Sequence, residues 1–319
     1  MNQIVAIVLP VFGIIGVGYL VAWSGLFTTE VGDGLADFVY TVPIPVLLFR
    51  TFVTAELPGG ETQFLLWLAY FTGFAAAWVI GTLMVRRIFH RDARAGVVGG
   101  MSAAYSNAFQ FGIPLVVAAY GHEALAPMAL IVAVQVPVLM VLSALLIERA
   151  LILDGVGGST ARFDTILTSV GRNLLLNPIV IGMVAGIAWR LTGLTLPSVA
   201  QTVVDRIADV AGTLALIAMG LGLRKYGLGG NLGGSIVMSV LKLFFAPAVV
   251  LLIVLYVVPL PVLWAKVAII TAALPSGGNV YLVAARFRTG EALASSAIVL
   301  STGLSILSLT FWLAIAAML

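Results

Sequence analysis

Charged residues are scarce in this 319-residue sequence, where they make up only 9%, whereas soluble domains contain roughly 25%. Hydrophobic residues account for 61% of the sequence, and they occur in long runs. Because about 20 consecutive apolar residues span the hydrocarbon core of a bilayer, this composition indicates a membrane protein. The small net positive charge, +3, comes from arginines that flank apolar segments, which is not typical of nucleic-acid binding.

Cysteine is absent, and histidine occurs only twice, as His90 and His122. The chain therefore has no disulfide and no thiolate ligand, and two histidines near predicted loops do not suggest a metal-dependent enzyme. No glycine-rich loop of the Walker type is present, so the sequence gives no support for direct use of ATP. We expect no metal and no cofactor.

Apolar segments recur along the whole sequence, separated by short loops rich in glycine, proline and charged residues. About ten segments are long enough to cross a bilayer with some tilt, and they fall at 2–23, 30–53, 63–88, 95–120, 123–148, 165–191, 198–223, 234–258, 262–286 and 291–318. The first lacks a basic leader and a clear cleavage site, so we expect a retained helix rather than a signal peptide. The predicted fold class is an all-α, multi-pass membrane protein.

Lysine and arginine are distributed unequally between the two sets of loops. If ten spans alternate, eleven of these residues face one side, and they are Arg86, Arg87, Arg91, Arg94, Arg149, Arg162, Arg172, Arg224, Lys225, Arg286 and Arg288. Only Arg50, Arg190 and Lys266 face the other side. Because cytoplasmic loops carry the excess of positive charge, we expect a protein of the cell (inner) membrane with both termini outside the cytoplasm.

Two of the apolar segments contain residues that interrupt a helix. The first stretch, 106–114, contains two amide side chains and also Gly112 and Pro114. The second stretch, 274–281, contains Pro275, Gly277 and Gly278. Proline lacks a backbone N–H, and interrupted backbone at membrane depth is tolerated only against protein or a water-filled cavity. A pair of such breaks in corresponding positions indicates the substrate site of a transporter.

The two halves of the sequence resemble each other. Residues 35–38 (LADF) match residues 207–210 (IADV) at an offset of 172, and the same offset carries Asn107 onto Asn279. We therefore predict two five-span repeats, at 1–153 and 165–319, joined by a cytoplasmic linker at 154–164. An odd number of spans per repeat forces the second repeat to insert with inverted topology.

These motifs resemble those of the auxin efflux carrier family. Residues 107–115 (NAFQFGIPL) are similar to its fourth-span signature, 273–279 (ALPSGGN) to its ninth-span signature, and 42–49 (VPIPVLLF) to its proline-bearing second span. The resemblance implies ten helices in two inverted repeats, as in bile acid and auxin transporters, with spans four and nine broken and crossing. It also implies a scaffold of spans one, two, six and seven that often dimerises, a transport domain of spans three to five and eight to ten, and elevator-like alternating access. The chain lacks the large cytoplasmic insert of many plant members and resembles the compact bacterial branch, for which malonate or malate carriers are proposed.

Four polar residues at the breaks are candidates for binding substrate: Asn107, Gln110, Ser276 and Asn279. The first turn of each half-helix has unsatisfied N–H groups and a positive dipole end, which suit a carboxylate without a buried lysine at the site. The amides can donate to an anion or cap a half-helix. The alternative is that these residues only satisfy the broken backbone.

Two ionisable residues lie deep within predicted spans. Asp209 is about eleven residues into span seven and Lys242 about eight into span eight, which places both on the order of 12–17 Å from the membrane surface. We predict a charge-coupling role for this pair. Tyr70 stands 172 residues before Lys242, so the lysine breaks the internal symmetry. The alternatives are a static ion pair or a lysine that reaches a water-filled crevice.

The function that these observations predict is secondary transport of small organic anions, such as malonate, malate or auxin-like acids. Protons or sodium are the expected coupling ions, membrane lipids and a second copy of the chain the expected partners, and no nucleic acid is expected. A passive anion channel or a membrane sensor remains an alternative, because broken helices in inverted repeats also occur in channels. An enzyme is less favoured, since no clustered catalytic groups are evident.

Overall fold

The computed structural model describes residues 2–55, 58–156, 172, 175–229 and 232–319. Within these ranges the secondary structure is helical, apart from one isolated β-bridge. The α-helices, in chain order, are α1 (Asn2–Trp23), α2 (Thr29–Thr41), α3 (Pro43–Thr54), α4 (Gly60–Arg87), α5 (Ala93–Ala104), α6 (Ile113–Tyr120), α7 (Leu125–Leu153), α8 (Pro178–Leu191), α9 (Ser198–Leu223), α10 (Leu232–Val240), α11 (Ala246–Tyr256), α12 (Val262–Ala273), α13 (Asn279–Arg286) and α14 (Glu291–Ala317).

Among the described residues, seven helical stretches are long and apolar enough to cross a membrane: Ile4–Trp23, Glu30–Thr54, Gly60–Arg87, His122–Leu153, Ser198–Leu223, Leu232–Tyr256 and Glu291–Ala317. Three shorter apolar helices occupy Ala108–Tyr120, Pro178–Leu191 and Val262–Ala273. The all-helical membrane class is thus confirmed, while the count of ten spans and their inverted arrangement stay predictions. The linker after residue 156 and most of residues 165–177 lie outside the described ranges.

Proline marks the irregular turns of several helices. The predicted second span is divided at Val42, and Pro43 is the first residue of α3. Two π-helical turns, Ala108–Gly112 and Leu241–Phe245, each end two residues before a proline, Pro114 and Pro247. Because proline offers no N–H and its ring clashes with the carbonyl four residues earlier, a widened turn relieves the conflict.

The first of two compact units comprises Met1–Gln63, Ala108–Ala133 and Asn173–Lys225. In this unit α9 packs against α1, α2 and α3, and α3 packs against α8. Glycines allow the close approach: a Cβ at Gly18 would clash with the carbonyl of Ile217 on α9, and one at Gly182 with the backbone of Pro45 on α3.

The second unit comprises Phe64–Asn107, Val134–Arg172 and Tyr226–Leu319. Helix α14 packs against α5, α10, α12 and α13, and α11 packs against α12. A line of buried serines on α14, which includes Ser296, Ser301 and Ser305, allows this close packing. Each unit therefore draws segments from both halves of the chain.

Candidate functional site

The two interruptions that the structure shows lie in the second unit, whereas residues 108–114 of the first predicted break belong to the first unit. Helix α5 ends at Ala104 and α12 ends at Ala273. The residues that follow, 105–107 and 274–278, are not helical. The first interruption lies before Gly112 and Pro114, which are helical, because the π-turn accommodates the proline.

The two interrupted stretches pair with each other. Ser106 and Ser276 form an isolated antiparallel bridge. Two backbone hydrogen bonds flank it, from the N–H of Asn107 to the carbonyl of Pro275 (2.8 Å) and from the N–H of Gly277 to the carbonyl of Tyr105 (3.1 Å). Backbone groups freed by one break are thus satisfied by the other, as buried polar groups require.

The serines at the bridge also close the ends of the two helices. The hydroxyl of Ser106, after α5, donates to the carbonyl of Thr271 in the last turn of α12 (2.8 Å). The hydroxyl of Ser276, after α12, donates to the carbonyl of Ser102 in the last turn of α5 (2.5 Å). Each half-helix therefore has an orphan carbonyl satisfied by the other chain segment. This use of the Ser276 proton gives the residue a clear part in holding the break.

A buried polar network supports the bridge from α4 and α7. The side chain of Gln135 donates to the carbonyl of Ser106 (2.9 Å) and accepts a hydrogen bond from the hydroxyl of Tyr70. The Tyr70 hydroxyl also lies 3.1 Å from the Ser106 hydroxyl. Tyr70, Ser106 and Gln135 are each only 1% exposed. A closed, fully satisfied network of this kind fixes the backbone at the break.

The two predicted asparagines differ in exposure. Asn279 is the first residue of α13 and is exposed, and its amide donates to the hydroxyl of Tyr105 (2.8 Å). Asn107 is only 8% exposed. Gly277 allows the Tyr105 ring to pack against the backbone of the second stretch, since a Cβ at this position would lie 2.5 Å from the ring. The structure thus brings Asn107, Ser276 and Asn279 to one break.

Gln110 lies in the first unit, half-buried in the π-turn that precedes α6. Gly112 and Pro114 are buried in the same unit. The aromatic neighbours of Gln110 in sequence, Phe109 and Phe111, make edge-on ring contacts within this unit. The structure therefore does not place Gln110 in the unit that contains the other three candidates, and its contact with substrate stays a prediction.

Lys242 lies in the π-turn between α10 and α11 and is fully buried. Its ammonium donates to the carbonyl of Ala272, next to the end of α12. The lysine therefore contacts the break at the C-terminal end of α12.

Asp209, on α9 in the first unit, has a partner that the sequence reasoning missed. Arg50 on α3 donates to its carboxylate (2.8 Å) and also to that of Asp205 (3.3 Å). Arg50 is predicted near the non-cytoplasmic end of the second span, 30–53, and Asp209 deep within the seventh, so this pair was not expected. Because Asp209 and Lys242 belong to different units, their pairing stays a prediction.

A cavity of about 450 Å³ lies within the first unit, among α1, α3, α6 and α9. Its lining is apolar apart from His122, Asp209 and Thr213. A carboxylate in the wall disfavours an anionic ligand there. In the described part of the chain, no group of three or more acidic or histidine side chains could hold a metal ion.

Asp154 lies just after α7, outside the membrane-spanning helices, and links the end of α7 to the start of α5. Burial acts to raise the pKa of this carboxyl. Hydrogen bonds from the backbone N–H groups of Ala93 and Arg94 and the guanidinium of Arg94 outweigh burial, so the pKa lies below its ordinary value. This contact stabilises the second unit.

Ser102, Gln135 and Thr271 support the break but were not predicted from the sequence. A sequence signal existed only for Tyr70, which stands 172 residues before Lys242. Both residues contact the break, Tyr70 at the hydroxyl of Ser106 and Lys242 at the carbonyl of Ala272.

Two paired interruptions in long apolar segments of a multi-pass helical protein are a feature of membrane transporters. The membrane transport protein family model matches residues 3–313, so the chain belongs to this family, the auxin efflux carrier family.

Three relatives illustrate the range of similar proteins. A Rhizobium meliloti (strain 1021) protein named "Putative malonate transporter" is 27% identical over 317 residues, which cover 97% of this chain and 95% of the relative. An "Uncharacterized transporter" of Methanothermobacter thermautotrophicus is 25% identical over 307 residues, 96% of each chain. The mouse "Lysosomal cholesterol signaling protein" is 27% identical over 220 residues, 67% of this chain but only 25% of that protein.

Proposed function

We propose that this protein is a secondary transporter of small carboxylate anions, of which malonate is the first candidate. The observation that carries the proposal is the break in the second unit, where two half-helices are held by reciprocal serine contacts and an exposed asparagine begins α13. The near full-length similarity to a protein named as a malonate transporter supports the choice of substrate class.

The chemistry of the break suits an anion. The N-terminal turn of α13 carries a positive dipole end, and the amide of Asn279 stands at this position. Asn107 adds a second amide from the paired stretch. Gly277 and Gly278 carry no side chain, which leaves room for Tyr105 and Tyr226 to pack against the backbone of this stretch. We assign Asn107 and Asn279 to substrate contact, and Ser276 to fixing the backbone at the break.

The division into two units supports an elevator-like cycle. We propose that α1, α2, α3, α8 and α9, which lie in the first unit, form the scaffold and the site of a homodimer contact. The second unit, with the paired breaks, then carries the substrate across the cell membrane. Both termini are proposed to lie outside the cytoplasm, from the unequal distribution of lysine and arginine.

Calorimetric titration of the purified protein with malonate and a panel of mono- and dicarboxylates tests the proposed site. Asn107→Ala and Asn279→Ala should each weaken binding about ten- to a hundredfold, the effect of one lost hydrogen bond to a charged group. Gln63→Ala is the matched control, because this amide donates to a loop carbonyl, that of Pro58, outside the second unit.

Two outcomes would contradict the proposal. If both asparagine variants elute as folded protein and bind malonate with unchanged affinity, the break is only structural. If the wild-type protein binds none of the carboxylates, the substrate class is wrong.

A further inference from the structure

Lys242 is the only charged side chain that is fully buried in the described part of the chain. It lies in the π-turn Leu241–Phe245, which is held in place by the covalent restriction at Pro247. The other lysine near this region, Lys266, is half-exposed in the first turns of α12. A cation placed at such depth costs free energy unless it has a defined task and partner.

The partner of Lys242 is the negative end of a half-helix. Its ammonium donates to the carbonyl of Ala272, one residue before α12 ends at Ala273. The last carbonyls of a helix lack intrahelical donors and carry a partial negative charge, which attracts a cation. Lys242 therefore places its positive charge at the negative end of this half-helix.

Three further carbonyl oxygens around the break accept hydrogen bonds from side chains. The carbonyl of Thr271 receives Ser106, that of Ser102 receives Ser276, and that of Ser106 receives Gln135. Sodium, like other hard cations, needs a cluster of oxygen ligands that are free to coordinate it. The hydrogen bonds to these three carbonyls compete with coordination of such a cation.

We infer that Lys242 is a built-in cation that replaces a coupling sodium ion in the second unit. This inference rests on the proposed transport function and deepens it: carboxylate transport should not require sodium. Lys242 should therefore contribute one buried positive charge when the second unit moves empty, and should offset one of the two charges of a bound dicarboxylate when it moves loaded. Without the lysine, this buried positive charge would be absent and both charges of the dicarboxylate would be uncompensated by it.

Voltage-step recordings from giant proteoliposomes test the charge on the empty unit. Without substrate, the wild-type protein should give a transient current that reflects the movement of positive charge in the membrane field. Lys242→Met should abolish this current, whereas Lys242→Arg and the control Lys266→Met should retain it. In parallel, replacing sodium by choline should leave malonate uptake by the wild type unchanged. Lys242→Met should lower that uptake about tenfold or more.

The outcomes separate this inference from the proposed function. No uptake of any carboxylate by the wild type would overturn the proposed function itself. Normal uptake that requires sodium, or a substrate-free current that persists in a folded Lys242→Met protein, would overturn only the role of Lys242. If Lys242→Met does not fold, the absence of a substrate-free current in the wild type and in Lys242→Arg would also overturn the role of Lys242.

Discussion

The network that links Tyr70, Gln135 and Ser106 predicts a measurable loss of stability when it is cut. Gln135→Met keeps the length of the side chain but removes both hydrogen bonds and leaves the buried carbonyl of Ser106 without this donor. An unsatisfied buried acceptor and a second lost hydrogen bond together cost about 2–4 kcal/mol of the free energy of unfolding. Tyr70→Phe removes one hydroxyl and should cost about 1–3 kcal/mol.

The two substitutions should not be additive. They share the hydrogen bond between the Tyr70 hydroxyl and the Gln135 side chain, so the double variant should lose about 1 kcal/mol less than the sum of the single losses. Tyr120→Phe is the matched control. Its hydroxyl is shielded from solvent and has no hydrogen-bond partner within the described residues, so its removal should be neutral or slightly stabilising.

Equilibrium unfolding in mixed micelles, followed by circular dichroism, gives the free energies that this comparison needs. The reasoning is refuted if the losses of the two single variants add to within about 0.5 kcal/mol, the usual agreement for independent sites. It is also refuted if Tyr70→Phe is as harmless as Tyr120→Phe.

Three further predictions concern the surroundings of the break and the topology. Asp154→Asn should destabilise the folded protein by about 1–2 kcal/mol at neutral pH. Because the pKa of the Asp154 carboxyl is lowered in the folded state, the ionised carboxylate stabilises the fold above its ordinary pKa, and this stabilisation is lost as pH falls through the folded-state pKa. Acid unfolding profiles should therefore show this loss in the wild type and not in Asp154→Asn. Gly277→Ala should cost about 1–3 kcal/mol by overpacking against an aromatic ring, whereas Gly303→Ala, with open space around the new methyl group, should be neutral or stabilising by up to about 1 kcal/mol in the same assay. A cysteine introduced at Gly59 should react with a membrane-impermeant maleimide in intact cells while one at Arg91 should be protected, and the reverse pattern would overturn the predicted orientation.

The positions of the helices could be predicted from the sequence because hydropathy and proline act locally. The segment predicted at 198–223 corresponds to α9, Ser198–Leu223, since lipid-exposed helices consist of continuous apolar residues bounded by loop residues. The predicted second segment is divided where Pro43 begins α3, a signal that the sequence also contained. Residue spacing likewise indicated that Asn107 and Asn279 belong to equivalent breaks.

The contacts that hold the site could not be predicted, because they join residues far apart in the chain. Tyr70 and Gln135 are separated by 65 residues, and Arg50 and Asp209 by 159. Neither pair leaves a local spacing pattern, and an isolated Gln or Tyr in an apolar segment has many possible partners.

Counterflow in proteoliposomes tests the central claim most directly. Vesicles that contain the purified protein and a high internal concentration of unlabelled malonate are diluted into labelled malonate, and the labelled compound is followed over time. A carrier with alternating access should accumulate label transiently above its external concentration, and Asn279→Ala should reduce the initial rate about tenfold or more at low malonate concentration. Label that only approaches its external concentration, in the wild type, would indicate a passive pathway and contradict the account.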